Sequence, residues 1–113
     1  MDGARADEAG GRFRVSSALG FLGTLVVVVV GEVDHGTSPQ LGETLERAVT
    51  SGVGRVLVDL IGVSFCDCSC VNALLAAREI ARRNRVVLVC EGLSPCAERV
   101  FELTGVGPLL LAA

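Results

Sequence analysis

Three short, almost wholly apolar runs recur along this 113-residue chain, and each is followed by a segment with the residue spacing of a helix. The runs occupy residues 25–30, 55–60 and 86–90. Runs of this length, rich in valine and mostly apolar, are typical of strands in the interior of a domain, and only Arg55 and Asp59 in the second run are charged. Strands that alternate with helices predict a mainly parallel sheet with right-handed crossover connections. The chain is therefore predicted to be an α/β protein.

Start and stop residues mark the predicted helices. Ser38 with Pro39, and Ser94 with Pro95, each predict an N-cap followed by proline at the first helical position. Residues 41–49, in the first of these helices, have an apolar stripe at helical spacing, and so do residues 71–84, which lie between the two. Gly105 predicts the end of the last helix.

Two weaker strand patterns complete the predicted order. Residues 13–21 are predicted as a first edge strand and residues 109–113 as a last strand, while Gly31 is predicted to end the strand before it. The order is β-β-α-β-α-β-α-β in a single domain over residues 13–113, with helices packed on a mixed, mainly parallel sheet. Residues 1–12 are polar and rich in glycine, and they are predicted to be a disordered tail.

Charge and cysteine content limit the classes of function. A net charge of -3 and a pI near 5.0 argue against a nucleic-acid partner, which favours a basic face. The longest apolar run is far shorter than the roughly 20 residues that cross a bilayer, so no membrane insertion is predicted. Five cysteines, an odd number, without a secretory signal predict a reduced, cytoplasmic protein.

The most informative segment is residues 56–79, which read VLVDLIGVSFCDCSCVNALLAARE. A strand ends near Leu60, a loop follows, and a helix is predicted to begin close to Ser69. Asp67 and Ser69 therefore lie at a strand-loop-helix junction, where free backbone N–H groups suit an anionic group. From these residues alone, the N-cap of the helix is the favoured interpretation of Ser69, and Asp67 is equally interpreted as a loop residue bonded to its own backbone.

This segment resembles the motif of STAS domains, the family that includes the bacterial anti-sigma factor antagonists. Family members have a strand of the form VVLDL followed by GVxFxDSSG, and here VLVDL is followed by Gly62, Val63, Phe65, Asp67 and Ser69. The family's GELD element is matched by Gly31-Glu32-Val33-Asp34, and its LELTG element by Phe101-Glu102-Leu103-Thr104-Gly105. Two positions depart from the motif, because its first serine is Cys68 here and its glycine is Cys70.

The resemblance implies a single STAS-type domain and a partner-switching mechanism. The unmodified protein would bind an anti-sigma factor that is also a serine kinase, and so release a sigma factor. Phosphorylation of Ser69 would dissociate the complex, and a serine phosphatase would reset it. The implied partner-binding residues are Asp34, His35, Asp67, Cys68, Ser69, Cys70 and Asn72.

The cysteines suggest a different chemistry, which we weighed against the switch. Cys66, Cys68 and Cys70 form a C-x-C-x-C run, but zinc ligand pairs usually have two to four intervening residues and a second pair elsewhere. No metal and no other cofactor are therefore predicted. A thiol at a helix start can have a lowered pKa, which predicts sensitivity of Cys70 to oxidation.

Three functions therefore compete. The first is the phosphorylation-switched antagonist. The second is a STAS interaction subunit without a switch, in a stress-signalling or transport-associated complex. The third is a redox protein or enzyme built on the cysteines; the sequence has no Ser/His/Asp set and no phosphate-binding glycine loop, so we predict that the chain is not an enzyme.

Overall fold

The structure is a computed structural model, and it describes residues 13–112. The predicted tail at 1–12 and the last predicted strand residue, Ala113, lie outside the described residues. Four strands, three helices and a short fourth helix follow one another, with a 3-10 turn at Phe21–Gly23 between the first two strands. They are β1 (Phe13–Leu19), β2 (Thr24–Val33), α1 (Ser38–Val49), β3 (Arg55–Cys66), α2 (Cys68–Arg83), β4 (Val87–Leu93), α3 (Pro95–Thr104) and α4 (Gly107–Leu110).

The four strands form one mixed sheet in the order β1-β2-β3-β4. β1 is antiparallel to β2, whereas β2, β3 and β4 are parallel to one another. The register places Val27 beside Val58, and Val58 beside Cys90, in the middle of the sheet. Successive parallel strands advance in one direction, so right-handed crossovers place their helices on the same face of the sheet. The predicted α/β fold is confirmed.

The core lies between that face and the helices. Alternate residues of β2, among them Val27, Val29 and Val33, are fully buried, whereas Val26 and Val28 face the other side and are partly exposed. Helix α1 contributes the predicted apolar stripe, and burying each of its leucines stabilises the fold by about 1.5–3 kcal/mol. The buried residues of the helices are Leu41, Leu45, Ala48, Val49, Cys70, Val71, Leu74, Ala77, Ala81, Ala97, Phe101 and Leu110.

Gly31 does not end β2, as the sequence predicted. The strand continues through it to Val33, and Gly31 pairs with Val63 of β3. Its φ of 103° is open to glycine, and the register shifts between Gly31 and Glu32, as in a β-bulge. The glycine therefore bends a strand that carries on towards the loop at its end.

The predicted last strand, residues 109–113, is also wrong in form. Leu109 and Leu110 belong to helix α4, and only Leu111 forms an isolated parallel bridge, with Cys90. Pro108 explains the difference, because its fixed φ suits the first turn of a helix and it has no N–H to donate to a strand. The buried Leu110 then anchors this turn to the core.

The sequence predicted some of the helix boundaries correctly and one of them wrongly. Ser94 is the N-cap of α3 as predicted, and its hydroxyl accepts a hydrogen bond from the N–H of Ala97 at 3.2 Å. Ser38 is not the cap of α1, because the helix begins with it and Thr37 occupies the cap position. Gly105 ends α3 with a left-handed φ of 73°, also as predicted.

Candidate functional site

The parallel strands β2 and β3 end side by side, and this brings two loops together. Val33 is paired with Cys66 at the last position of the register. The N–H of Asp67 donates to the carbonyl oxygen of Val33 at 3.3 Å, which ties the start of α2 to the end of β2. The loop with Asp34 and His35 is therefore held next to the start of α2, as expected for the carboxyl edge of a parallel sheet.

Asp67, and not Ser69, is the N-cap of α2. Its backbone is extended, and its Oδ1 accepts a hydrogen bond from the N–H of Ser69 at 2.9 Å. The Ser69 hydroxyl donates to the same carboxylate oxygen. The interpretation of Ser69 as the cap is wrong because aspartate caps equally well and the helix begins at Cys68, two residues earlier than capping by Ser69 requires.

The Asp67 carboxylate is held in its charged form. The hydrogen bond from the Ser69 hydroxyl is the main cause that lowers its pKa, and partial burial works against it. The Ser69 N–H and the nearby charge of His35 lower the pKa further. A hydroxyl, an ionised carboxylate and an imidazole thus meet at one helix start.

Most of the predicted partner-binding residues open onto this edge. Ser69 is partly exposed, while His35, Cys68 and Asn72 are exposed. Asn72 lies three residues after Ser69, on the same side of α2. Cys70 differs from them, because its side chain is only 1% exposed and packs in the core.

Asp34 shapes the loop that carries His35. Its Oδ1 accepts hydrogen bonds from the N–H of Gly36 at 2.9 Å and of Thr37 at 3.1 Å. The Thr37 hydroxyl accepts from the Asp34 N–H and donates to the carbonyl oxygen of Glu32, both at 2.9 Å. The carboxylate thus has a structural task within the loop, and direct contact with a partner stays a prediction.

Three of the five cysteines, Cys66, Cys70 and Cys90, are buried, whereas Cys68 is exposed. Burial is the main cause that raises the pKa of Cys70 to about 11 and those of Cys66 and Cys90 to about 12. The predicted lowering of the Cys70 pKa is therefore wrong, because the thiol faces the core and not the solvent at the helix start. Within residues 13–112, no group of His, Cys, Asp or Glu side chains is arranged to hold a metal ion.

One exposed residue near the site was not selected from the sequence. Phe65 precedes Asp67 by two residues and is 49% exposed, although it lies in the motif strand between buried Val63 and Cys66. The register shift between Gly31 and Glu32 disturbs the alternation of the neighbouring strand just where Phe65 pairs with Glu32. Exposure in a strand is predicted from the alternation of buried and exposed residues with a period of two. An irregular register breaks this alternation, so the exposure of Phe65 could not be predicted from the sequence.

Comparison with known proteins relates this arrangement to one family. A family model described as "Mlab, STAS domain" matches residues 20–111. The anti-sigma F factor antagonist of Lysinibacillus sphaericus is 33% identical over 93 residues, which are 80% of this chain and 78% of that protein. The anti-sigma-B factor antagonist of Listeria monocytogenes is 33% identical over 85 residues, 74% of each chain.

Solved structures agree on the fold. The anti-sigma factor antagonist SpoIIAA in its unphosphorylated form superposes with a TM-score of 0.74 at 23% identity, covering 88% of both chains. An anti-sigma factor antagonist from Mycobacterium paratuberculosis gives the same TM-score at 25% identity and covers 87% of this chain and 82% of that one. Among residues 13–112, no helix is long and apolar enough to span a membrane.

Proposed function

Because this chain belongs to the STAS domain family, we propose that it is an anti-sigma factor antagonist controlled by phosphorylation of Ser69. In its unmodified form it binds an anti-sigma factor that is also a serine kinase, in the bacterial cytoplasm, and so releases a sigma factor. It acts by binding and not by catalysis, and a serine phosphatase restores it. The relatives named above, which are antagonists of anti-sigma factors, support this proposal.

The observation that carries the proposal is the position of the Ser69 hydroxyl. It is the second residue of α2, it is partly exposed, and it hydrogen-bonds the ionised Asp67. By contrast, Ser94 begins α3 at the same edge but is only 3% exposed and uses its hydroxyl as a cap. Of these two serines at helix starts, a kinase reaches only Ser69.

Phosphorylation here would change the surface and leave the fold intact. The phosphate adds about -1.5 to -2 charges at neutral pH. The helix N-terminus favours this charge by up to ~1 kcal/mol, while the adjacent Asp67 repels it. Phosphorylation also removes the hydroxyl hydrogen that now bonds Asp67. The modified helix start would therefore be a concentrated anionic patch, which a partner fitted to the uncharged serine cannot bury.

The two departures from the family motif have different consequences. Cys70 replaces a glycine, but its side chain is buried beneath the helix and adds no bulk to the exposed edge. Cys68 replaces a serine and is exposed beside Ser69. The altered residue that a kinase or partner meets is therefore Cys68, whose thiol is larger than the serine hydroxyl and a weaker hydrogen-bond donor.

We assign partner contact to the residues around Ser69. His35, Cys68, Asn72 and the newly identified Phe65 are exposed, and an aromatic side chain among polar ones is typical of an interface anchor. Asp67 contributes its charge and orients the Ser69 hydroxyl, and Asp34 supports the loop with His35.

The experiment combines phosphorylation and binding. The purified chain is incubated with ATP and each candidate anti-sigma kinase, and its intact mass is measured; affinity for each kinase is measured separately without ATP. Ser69→Ala is the test variant. Ser64→Ala is the matched control, because Ser64 is an exposed serine on the preceding strand. We expect one phosphate on the native chain and on Ser64→Ala, none on Ser69→Ala, and loss of binding after modification.

Other outcomes separate the alternatives. Binding to a kinase without phosphate transfer would support the STAS interaction subunit without a switch. A phosphate that remains on Ser69→Ala would refute the assigned site. Neither binding nor phosphate with any candidate would refute the antagonist function and leave only the family.

A further inference from the structure

The end of the sheet opposite Ser69 carries an exposed apolar turn. We call residues 19–23, which connect β1 to β2, the hairpin tip. Its side chains Leu19, Phe21 and Leu22 are 70%, 83% and 86% exposed, and elsewhere in residues 13–112 the most exposed large apolar side chains are Leu103, at 79%, and Ile61, at 63%. The sequence has no charged residue between Arg14 and Glu32. The hairpin tip can therefore leave water without burying a charge.

The backbone of the hairpin tip is held in an unfavourable conformation. Leu22 has φ 57° and ψ 39°, in the left-handed region. Among the described non-glycine residues, only Arg85 shares a positive φ, and it lies at the same end of the sheet. Leucine has no side-chain hydrogen bond to offset this conformation, as asparagine has. Strain of this kind that is retained at an exposed position points to a function.

The surroundings of the hairpin tip are basic, although the whole chain is acidic. Strands β3 and β4 begin at this end and helices α1 and α2 finish there, and Thr24, which follows the tip, pairs with Arg55. Glu79 bonds Arg82 at 3.2 Å, but no ion pair joins Arg55 or Arg85 to another described residue. The charged residues of this end are Arg47, Arg55, Arg82, Arg83 and Arg85, against Glu46 and Glu79.

An open cavity connects the apolar and basic parts. The hairpin tip and the turn before β3 enclose about 730 Å³. Leu19, Leu22 and Val53 line it with apolar side chains, and Arg55 also lines it. A recess lined by apolar side chains and an arginine matches an acyl chain with an anionic headgroup.

We propose that the hairpin tip binds the surface of an anionic lipid bilayer. Phe21 and Leu22 enter the boundary between headgroups and acyl chains, and Arg55 and Arg85 contact lipid phosphates. This contact is peripheral and requires no spanning helix. One tight turn offers less area than a standard protein interface buries, which favours a lipid surface over a protein partner.

The orientation of the molecule supports this assignment. Asp34, Asp67 and Ser69 lie at the other end of the sheet, so an anionic membrane attracts the arginines and repels the acidic end. The Ser69 edge then faces away from the membrane. The proposal does not depend on phosphorylation of Ser69.

Vesicle co-sedimentation of the full chain tests the proposal. One set of vesicles contains equal parts of phosphatidylglycerol and phosphatidylcholine, and the other contains phosphatidylcholine alone. The test variant is Phe21→Ser with Leu22→Asn, because asparagine tolerates the left-handed backbone and keeps the turn folded. Leu103→Ser removes an equally exposed leucine from α3 and is the matched control. Circular dichroism confirms that each variant is folded.

We expect the native chain to bind anionic vesicles at least about tenfold more tightly than neutral ones. The tip variant should lose at least about tenfold, and Leu103→Ser should bind as the native chain does. Arg55→Gln with Arg85→Asn should weaken binding and reduce its dependence on salt. Three results would overturn the proposal: no vesicle binding by the native chain, equal binding to both vesicles, or binding that the tip variant retains. Self-association lost in the tip variant, without vesicle binding, would instead assign the tip to a second copy of the chain.

Discussion

The helix starts at Asp67 and Ser94 solve the same structural problem with opposite exposure. Both follow a parallel strand at the same edge of the sheet, and in both a side-chain oxygen accepts a hydrogen bond from a backbone N–H of the first turn. Asp67 keeps this bond near the surface, with the Ser69 hydroxyl beside it. Ser94 is 3% exposed and makes its bond inside the core, beside the Cys96 thiol at 3.3 Å.

The difference shows what separates a helix start proposed to be regulatory from a structural one. Capping alone does not distinguish these two helix starts, since α2 and α3 both have a side-chain cap. The distinguishing feature of α2 is that Asp67 takes the cap position. The hydroxyl of Ser69, two residues further along the chain, is therefore not the cap and stays partly exposed. At α3 the serine itself is the cap, and its hydroxyl is no longer free for chemistry.

A negative charge introduced at each helix start should give the largest difference in stability between the two. We expect Ser94→Glu to lower the free energy of unfolding by at least about 3 kcal/mol, because it buries a charge without a partner. Ser69→Glu should change it by no more than about 1 kcal/mol, because the charge lies near solvent at a helix N-terminus. Urea unfolding of both variants measures the difference. Equal losses would mean that the two starts do not differ in burial.

Removal of each cap should give a smaller contrast in the same direction. Ser94→Ala leaves a buried N–H without an acceptor and should cost about 2 kcal/mol. Asp67→Ala leaves an N–H that water can reach and should cost about 1 kcal/mol. Thermal and urea unfolding check both values. Thr44→Ala, at a partly exposed position inside α1, serves as a control for loss of a side-chain oxygen outside a cap.

Acid should remove the stabilising contribution of the Asp67 cap and leave that of the Ser94 cap. The pKa of Asp67 is lowered in the folded protein, so its stabilising effect is complete above the unfolded pKa of about 3.9. That effect is lost as the pH falls through the folded pKa. The stability gap between the native chain and Asp67→Ala should therefore close below about pH 4, while the gap to Ser94→Ala persists because a serine hydroxyl does not titrate there. A gap to Asp67→Ala that is independent of pH would contradict the carboxylate cap.

The sequence predicted what depends on local periodicity. The buried strands, the amphipathic stripe of α1 and the cap at Ser94 are each encoded within a few residues, and each is confirmed. The family was also predictable, because three short motifs occur in the right order. The last strand was predicted wrongly from the apolar residues at the end of the chain, because Pro108 favours a helical turn there.

The site was predictable in position but not in detail. Asp67 and Ser69 are both good capping residues, and the local sequence does not decide which of them is the N-cap of α2. The inward direction of Cys70 depends on the exact residue at which α2 begins, since one residue turns a helix by about 100°. Phe65 became exposed through a register shift between two strands, and that is a property of the paired sheet and not of either strand.

The smallest expected effect lies in the residue that we propose as the phosphorylation site. Ser69→Ala removes only a hydroxyl that donates to Asp67, while the backbone N–H of Ser69 keeps the cap. We expect a loss of about 0.5 kcal/mol, at the low end of the range for a hydrogen bond, because this one is partly exposed to water. Urea unfolding at neutral pH measures it, with Asp67→Ala as the larger reference. A loss as large as that of Asp67→Ala would mean that the hydroxyl is structural. A small loss means that the hydroxyl can be modified or removed without cost to the fold, which is the condition that a phosphorylation switch at this position must meet.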